Sequence, residues 1–343
     1  MQRKWIFRLI ILVVVAGAAY RMYQNRPKVE LVHLTGQTMG TIRYSVKYLK
    51  DSPENLQKSV DSILVSFNQS LSTYISDSEI SILNSTGRLD EPSEMFLDVL
   101  TKSQEVYRQT AGAFDPTVGP LVNAWGFGPD KILRAPDSAV VDSLKLLVDF
   151  SAITQEGQSV NMETGMYLDF SAIAKGYAVD LVAEFLEAQG ISDYMVEIGG
   201  EVRVSGVNDE QVPWKIGIED PIVEQNSQRL LAIIELKDLS MATSGNYRNY
   251  YKVGERIIAH TIDPRTGFNT SHTLLSASIF SQDCISADAY ATAAMVIGLE
   301  ESIEMLEANG LEGFLLYMDE SGVLRSFVTS GLEAMVSLDK TKN

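Results

Sequence analysis

The chain reads as an α+β protein. Three observations lead there. Stretches of helical periodicity and stretches of alternating apolar residues come in groups without strict alternation. The 343 residues, 45% hydrophobic and 21% charged, hold ample apolar material for one large domain or two modest ones. No internal repeat, low-complexity tract or obvious linker divides them.

The order of elements begins with MQRKWIFRLIILVVVAGAAYRMYQNRPK (1–28), which carries six basic residues, no acid, and an apolar run from Leu9 to Ala19. Such a segment predicts either a cleaved signal peptide or a retained signal anchor extended back through Trp5, with Arg8 snorkelling. Both readings export residues 29–343 to the extracytoplasmic (periplasmic) side, and the anchor ties them to the inner membrane. The exported body holds 22 basic and 45 acidic residues, a charge of −23, which repels a nucleic-acid backbone. Cys284 is the only cysteine, so the chain has no intrachain disulfide and no cysteine after the leader to carry a lipid.

LVHLTGQTMGTIRYSVKYL alternates as a strand pair turning at Met39-Gly40. Residues 54–70 place Leu56, Val60, Ile63, Leu64 and Phe67 on one helical face, and a second helix covers Glu94 to Gln109. Between 145 and 170 short β-rich runs end in MYLDF. SAIAKGYAVDLVAEFLEAQG follows as a helix with Ser171 as N-cap and Gly190 as its stop. YMVEIGGEVRVSG, WKIGIEDP, RLLAIIELKDL and TLLSASIF read as strands, ISADAYATAAMVIGL as a small-residue helix, and the tail as a mixture.

The usual nucleophile signatures are missing. There is no GxSxG, CxxC or HExxH, and the histidines are His33, His260 and His272. Gly126-Phe127-Gly128 precedes Pro129 and not a helix, which argues against a dinucleotide fold. What remains are polar residues in small or glycine-rich settings. In LDFSAIAKG, Asp169 either accepts from a ligand N–H or caps the helix with Ser171, and Lys175 lies one turn on. In SADAYATAAMV, Asp288 and Thr292 stand at i, i+4, a spacing that reaches a hard cation or leaves a solvated acid beside a packing threonine. His260 precedes the Asp-Pro turn of AHTIDPRTG as a general base or a structural residue. Tyr74 lies on a loop before a helix, and ATSGNYRNYY is a ligand-touching loop or an edge strand. GAFDPTVGPLVNAWGFG (112–128) crowds glycine, proline and aromatics around Asp115, as a loop shaped for a flat ligand.

In this order these stretches closely resemble the ApbE family of FAD:protein FMN transferases. The matching blocks are GQTMGT, STYISDSEIS, GAFDPTVGPLVNAWGFGP, LDFSAIAKGYAVD, VEIGGEVRVSG, ATSGNYRNYY, HTIDPRTG and SADAYATAAMV. The resemblance implies a compact, T-fold-related α+β domain of mixed sheet and helix. It also implies Mg2+-dependent transfer of FMN from FAD to a threonine of an acceptor protein, with AMP released. Acceptors of that kind are subunits of membrane redox complexes such as sodium-pumping NADH:quinone reductases (Nqr) and Rnf-type complexes. It further implies FAD contacts from Met39, Tyr74, Ala113, Phe114, Asp115, Asp169, Lys175 and Ile262. The implied metal ligands are the carbonyl of Ala172, the carboxylate of Asp288 and the hydroxyl of Thr292. His260 becomes the base toward the acceptor threonine or a stabiliser of the leaving phosphate. Phosphoryl transfer needs positioning and charge neutralisation and no enzyme nucleophile, which suits the missing motifs. An FAD pyrophosphatase and a non-catalytic extracytoplasmic FAD-binding protein are the alternatives.

Overall fold

The alternating segments form strands β1 (Glu30–Thr38), β2 (Ile42–Lys50), β3 (Arg88–Asp90), β4 (Thr154–Glu156), β5 (Ser159–Asn161), β6 (Tyr194–Ile198), β7 (Glu201–Ser205) and β8 (Trp214–Glu219). They continue with β9 (Leu230–Leu236), β10 (Leu239–Gly245), β11 (Tyr250–Val253), β12 (Arg256–Ala259), β13 (Leu274–Ser281), β14 (Glu312–Met318), β15 (Leu324–Val328) and β16 (Val336–Leu338). The helices are α1 (Gln57–Leu71), α2 (Glu79–Thr86), α3 (Glu94–Gln109), α4 (Gly119–Ala124), α5 (Ser138–Lys145), α6 (Ala174–Ala188), α7 (Cys284–Ile297) and α8 (Leu299–Asn309). The structure, a computed structural model, describes residues 30–51, 54–127, 135–221, 229–246, 250–253 and 256–338. The leader, Tyr247 and Arg248 lie outside the described residues. Among the described residues no helix is long and apolar enough to cross a membrane.

Eight strands make one antiparallel sheet in the order β1-β2-β6-β7-β10-β13-β14-β15. Because side chains alternate across a strand, the sheet buries both faces. One face presents Val46, Val196, Ile279 and Leu315 to the helices, where α7 is buried nearly all round and α6 over most of its surface. The other presents Val204, Met241, Phe280 and Phe314 to Trp214, Ile216, Ile234 and Leu236 of the small sheet β16-β9-β8. The fold is thus helices on sheet on sheet, the mixed α+β architecture that the grouped pattern predicts.

Local chemistry explains where the boundaries differ from expectation. The predicted hairpin turns at Met39-Gly40, both in the left-handed region (φ 47° and 81°). α1 begins at Gln57, whose amide the Asn55 side chain accepts at 2.9 Å, and not at residue 54. MYLDF is not a strand. Asn84 of α2 clasps it through both backbone groups of Leu168, at 2.7 and 2.8 Å, and so occupies the hydrogen bonds a ladder would use. Ser171 is not the cap of α6 either. Its amide donates to Asp169 Oδ1 at 2.8 Å, residues 171–173 form a turn, and the helix starts at Ala174 after Ile173. β10, which opens the ATSGNYRNYY stretch, lies between β7 and β13, so that part is no edge strand.

Candidate active site

The site grows from the crossing of α6 and α7. Gly176 makes the crossing close: a Cβ there would collide with the carbonyl of Cys284 and sit 2.8 Å from Asp288 Cβ. Its amide donates to Asp288 Oδ2 at 2.9 Å, which fixes the carboxylate although it is only 2% exposed. α7 is itself anchored by Asp180 of α6, which accepts from the amides of Cys284 and Ile285 at 2.9 and 2.8 Å. Burial pushes the Asp180 carboxyl up to about 6, against the pull of those amides and of Arg203 at 2.8 Å.

One turn beyond Asp288, Thr292 Oγ1 lies 3.5 Å from the carbonyl oxygen of Ala172 and 3.4 Å from Ser244 Oγ on β10. Two predicted ligand positions 120 residues apart in sequence, Ala172 and Thr292, therefore meet, and the third, Asp288, lies one helical turn before Thr292 on α7. Their donors are a carboxylate, a hydroxyl and a carbonyl, all hard oxygens, which suits Mg2+. Among the described residues no three His, Cys, Asp or Glu converge as a metal cluster. A single carboxylate leaves half of a divalent charge to be met by something else, and substrate phosphates commonly do that for Mg2+.

Lys175 stands beside this spot. Its Nζ is 2.5 Å from Glu201 Oε1 and 3.4 Å from Asp288 Oδ1, and its side chain keeps 28% exposure. Burial works against the ammonium, but the two carboxylates outweigh it and hold the Lys175 pKa above its ordinary value. Burial likewise pushes the Glu201 carboxyl up, with Lys175 opposing and Asp288 adding to the rise. Glu201, Ser244, Gly176 and Asp180 were not singled out in the sequence. Glu201 had one readable signal, an acid directly after Gly-Gly inside an apolar strand pair.

Met39 reaches the same end of the sheet. Gly199, at the β6–β7 turn, donates to the Arg43 carbonyl at 3.0 Å, beside the β1–β2 turn that carries Met39. Asp169 joins the 113–119 loop, its amide donating to the Pro116 carbonyl at 2.8 Å. Within that loop Ala113, Phe114 and Asp115 are 0, 1 and 7% exposed. Asp115 Oδ1 accepts from the amide and hydroxyl of Thr117 at 2.7 and 2.5 Å, and Oδ2 from the Phe150 amide at 3.3 Å. Burial raises its carboxyl pKa, and these bonds oppose the rise. The run thus shapes the loop from within. Tyr74 is the opposite case, 86% exposed on the loop before α2 and next to Thr73, whose side chain bonds Tyr167.

Ile262 and His260 belong to a loop docked on a small cluster of Leu121, Trp125, Val141 and Ile262. Trp125 Nε1 donates to the Gly267 carbonyl at 2.9 Å, and Phe127 meets the half-buried His260 ring edge-on at 6.2 Å. Thr261 Oγ1 donates to Asn246 Oδ1 at 2.5 Å, one residue beyond β10, and so ties this loop to the strand that carries Ser244. Asp263 binds the Arg265 guanidinium at 2.9 Å and closes its own turn.

The model of the ApbE family matches residues 39–315. The chain belongs to the ApbE family. An FAD:protein FMN transferase of Vibrio cholerae is 37% identical to it, over 98% of this chain and 99% of the relative. One of Escherichia coli is 35% identical over 84% of each chain. Among solved structures, the flavin transferase ApbE from Vibrio cholerae superposes with a TM-score of 0.79 at 37% identity, over 90% of this chain and 100% of that one. The apo flavinyl transferase ApbE of Pseudomonas stutzeri gives 0.80 at 33%, over 90% and 97%. The resemblance read from the motif blocks and the α+β fold class both stand, and the protein is an enzyme of the transferase class.

Proposed function

We propose that this protein transfers the FMN moiety of FAD to a threonine hydroxyl of an acceptor protein, in a Mg2+-dependent reaction that releases AMP. The observation that carries this reading is the approach of Thr292 Oγ1 to Ala172 O, one helical turn from Asp288, where α6 crosses α7. When bound there, Mg2+ neutralises charge on the diphosphate and on the departing AMP. Ala172, Asp288 and Thr292 would hold the cation, and Lys175, open to solvent on one side, would pair with a phosphate oxygen. Met39, Tyr74, Asp169 and Ile262 line the FAD, and Ala113, Phe114 and Asp115 form the wall behind it. His260 takes the proton from the acceptor threonine as its oxygen attacks the phosphorus on the FMN side, and the bond to AMP breaks. The body works on the extracytoplasmic side, led there by residues 1–28 as a cleaved signal or inner-membrane anchor. Its acceptors are subunits of membrane redox complexes of the Nqr or Rnf kind.

The test is incubation with FAD, Mg2+ and a candidate acceptor. The acceptor should become fluorescent on a denaturing gel, gain the mass of one FMN less one water, and stay unlabelled when EDTA is present. Release of FMN and AMP with no labelled acceptor would make the protein an FAD pyrophosphatase.

A further inference from the structure

Glu201 is buried at 3% exposure, and only one of its two oxygens has a protein partner. Oε1 holds Lys175 at 2.5 Å, while Oε2 is buried with no hydrogen bond among the described residues. A buried carboxylate with a lone oxygen is costly to keep, so a role beyond packing is implied. The Gly199-Gly200 turn supports it. Both residues have positive φ (64° and 102°), the geometry of a two-residue hairpin that pairs Ile198 with Glu201. A Cβ on Gly199 would press on Ile42 and approach both Lys175 Cδ and Glu201 Oε2, so this turn lets the carboxylate and the lysine stem lie together.

Lys175 has a second carboxylate in reach, Asp288 at 3.4 Å, and Asp288 is the acid that would hold Mg2+. The ammonium and the cation therefore compete for one group. Resting on the Mg2+ reading above, we propose that Glu201 is a positioning residue that draws Lys175 off Asp288. Held closer to Glu201 than to Asp288, at 2.5 against 3.4 Å, the ammonium engages Asp288 less tightly, which eases entry of the cation, and it stays beside the site to meet the anionic diphosphate. Without Glu201, Asp288 is the only carboxylate among the described residues left to Lys175, and Mg2+ must displace the ammonium from it.

The test is a cycle of variants read by Mg2+ affinity, using calorimetry on the purified protein with ADP at a fixed excess. ADP supplies an adenine diphosphate and cannot give up a flavin. Glu201→Gln should weaken Mg2+ binding about tenfold. Glu201→Asp, which keeps the charge and shortens the reach, should weaken it in the same direction. Lys175→Met should tighten binding, and adding Glu201→Gln to Lys175→Met should change it less than about twofold, because no ammonium remains to be held. Equal effects of Glu201→Gln in both backgrounds, or wild-type affinity in Glu201→Asp, would overturn the proposal, since Glu201 would then act only through its charge. A wild-type protein that binds no Mg2+ under these conditions would sink the metal reading and this proposal together. Thermal melting of each variant identifies any that fail to fold, and Glu201→Asp carries the test if Glu201→Gln does.

Discussion

Where α6 crosses α7, polar groups are fixed because two long helices touch, and Gly176 permits the contact. Where the 113–127 loop meets the 260–269 loop, position depends on a four-residue apolar cluster and a Trp125 hydrogen bond. The first region is continuous with the main core, and the second is a satellite. A cation site needs its oxygens held to within a fraction of an ångström, which rigid elements supply better than loops. A large flat ligand tolerates more play and gains from loops that can adjust. The comparison predicts that changes at the crossing alter chemistry, and that packing changes at the satellite, His260 apart, alter FAD binding first.

The largest effect should come from Asp288→Ala. Loss of the one carboxylate among the three proposed metal ligands should lower the transfer rate by about 10³-fold or more. Melting should change little by comparison, because Asp180 and Asp283 still hold the start of α7. Transfer at the wild-type rate would remove the metal from the crossing. His260→Ala comes next, with about 10²-fold lost if the ring moves the acceptor's proton. Rates equal to wild type from pH 6 to 9 would make that ring a structural residue.

Two variants at the crossing act on stability. Asp180 has its folded pKa raised to about 6 from 3.8. The folded state holds this proton more tightly, so the stability it contributes is present below about pH 4 and lost as pH rises through 6. The loss is up to about 3 kcal/mol. Subtracting urea unfolding curves of Asp180→Asn from wild type between pH 4 and 7 should reveal that slope, and parallel curves would deny it. Gly176→Ala should cost about 1–3 kcal/mol by overpacking, with transfer falling too because the displaced atoms include Asp288. A melting temperature equal to wild type would mean that the crossing yields easily and is not the rigid half of the comparison.

These contrasts also explain what the sequence disclosed. The helical and alternating periods of α3, β1 and β2 were legible because burial on one face writes itself into spacing. Asp288 and Thr292 were legible for the same reason, one helical turn apart. Ala172 could not be read from its own side chain, because it offers a backbone carbonyl, and only the family resemblance pointed to it. Glu201 was not found because its partners, Lys175 and Asp288, are brought to it by tertiary packing from 26 and 87 residues away. MYLDF failed as a strand because Asn84, 84 residues earlier, takes over the Leu168 backbone. Local pattern carries local structure, whereas long-range hydrogen bonds leave no period.

The smallest effect separates the two regions most cleanly. Trp125→Phe keeps most of the apolar volume of the satellite cluster and removes the bond from Nε1 to the Gly267 carbonyl. An unsatisfied carbonyl of this kind costs about 1 kcal/mol, which in a protein of this size moves the melting temperature by only a few degrees. The loop bearing Ile262 should loosen, while Asp288, Thr292 and Ala172 are tied through α6, α7 and β10 and should stay in place. The expected result is a KM for FAD raised about threefold with kcat within about twofold, the pattern of lost uniform binding. Amide hydrogen exchange should quicken across residues 260–269 and stay unchanged in α7. Faster exchange in α7, or a fall in kcat as large as that in kcat/KM, would show that satellite and crossing form one mechanical unit. The contrast between a rigid chemical half and an adjustable binding half would then fail.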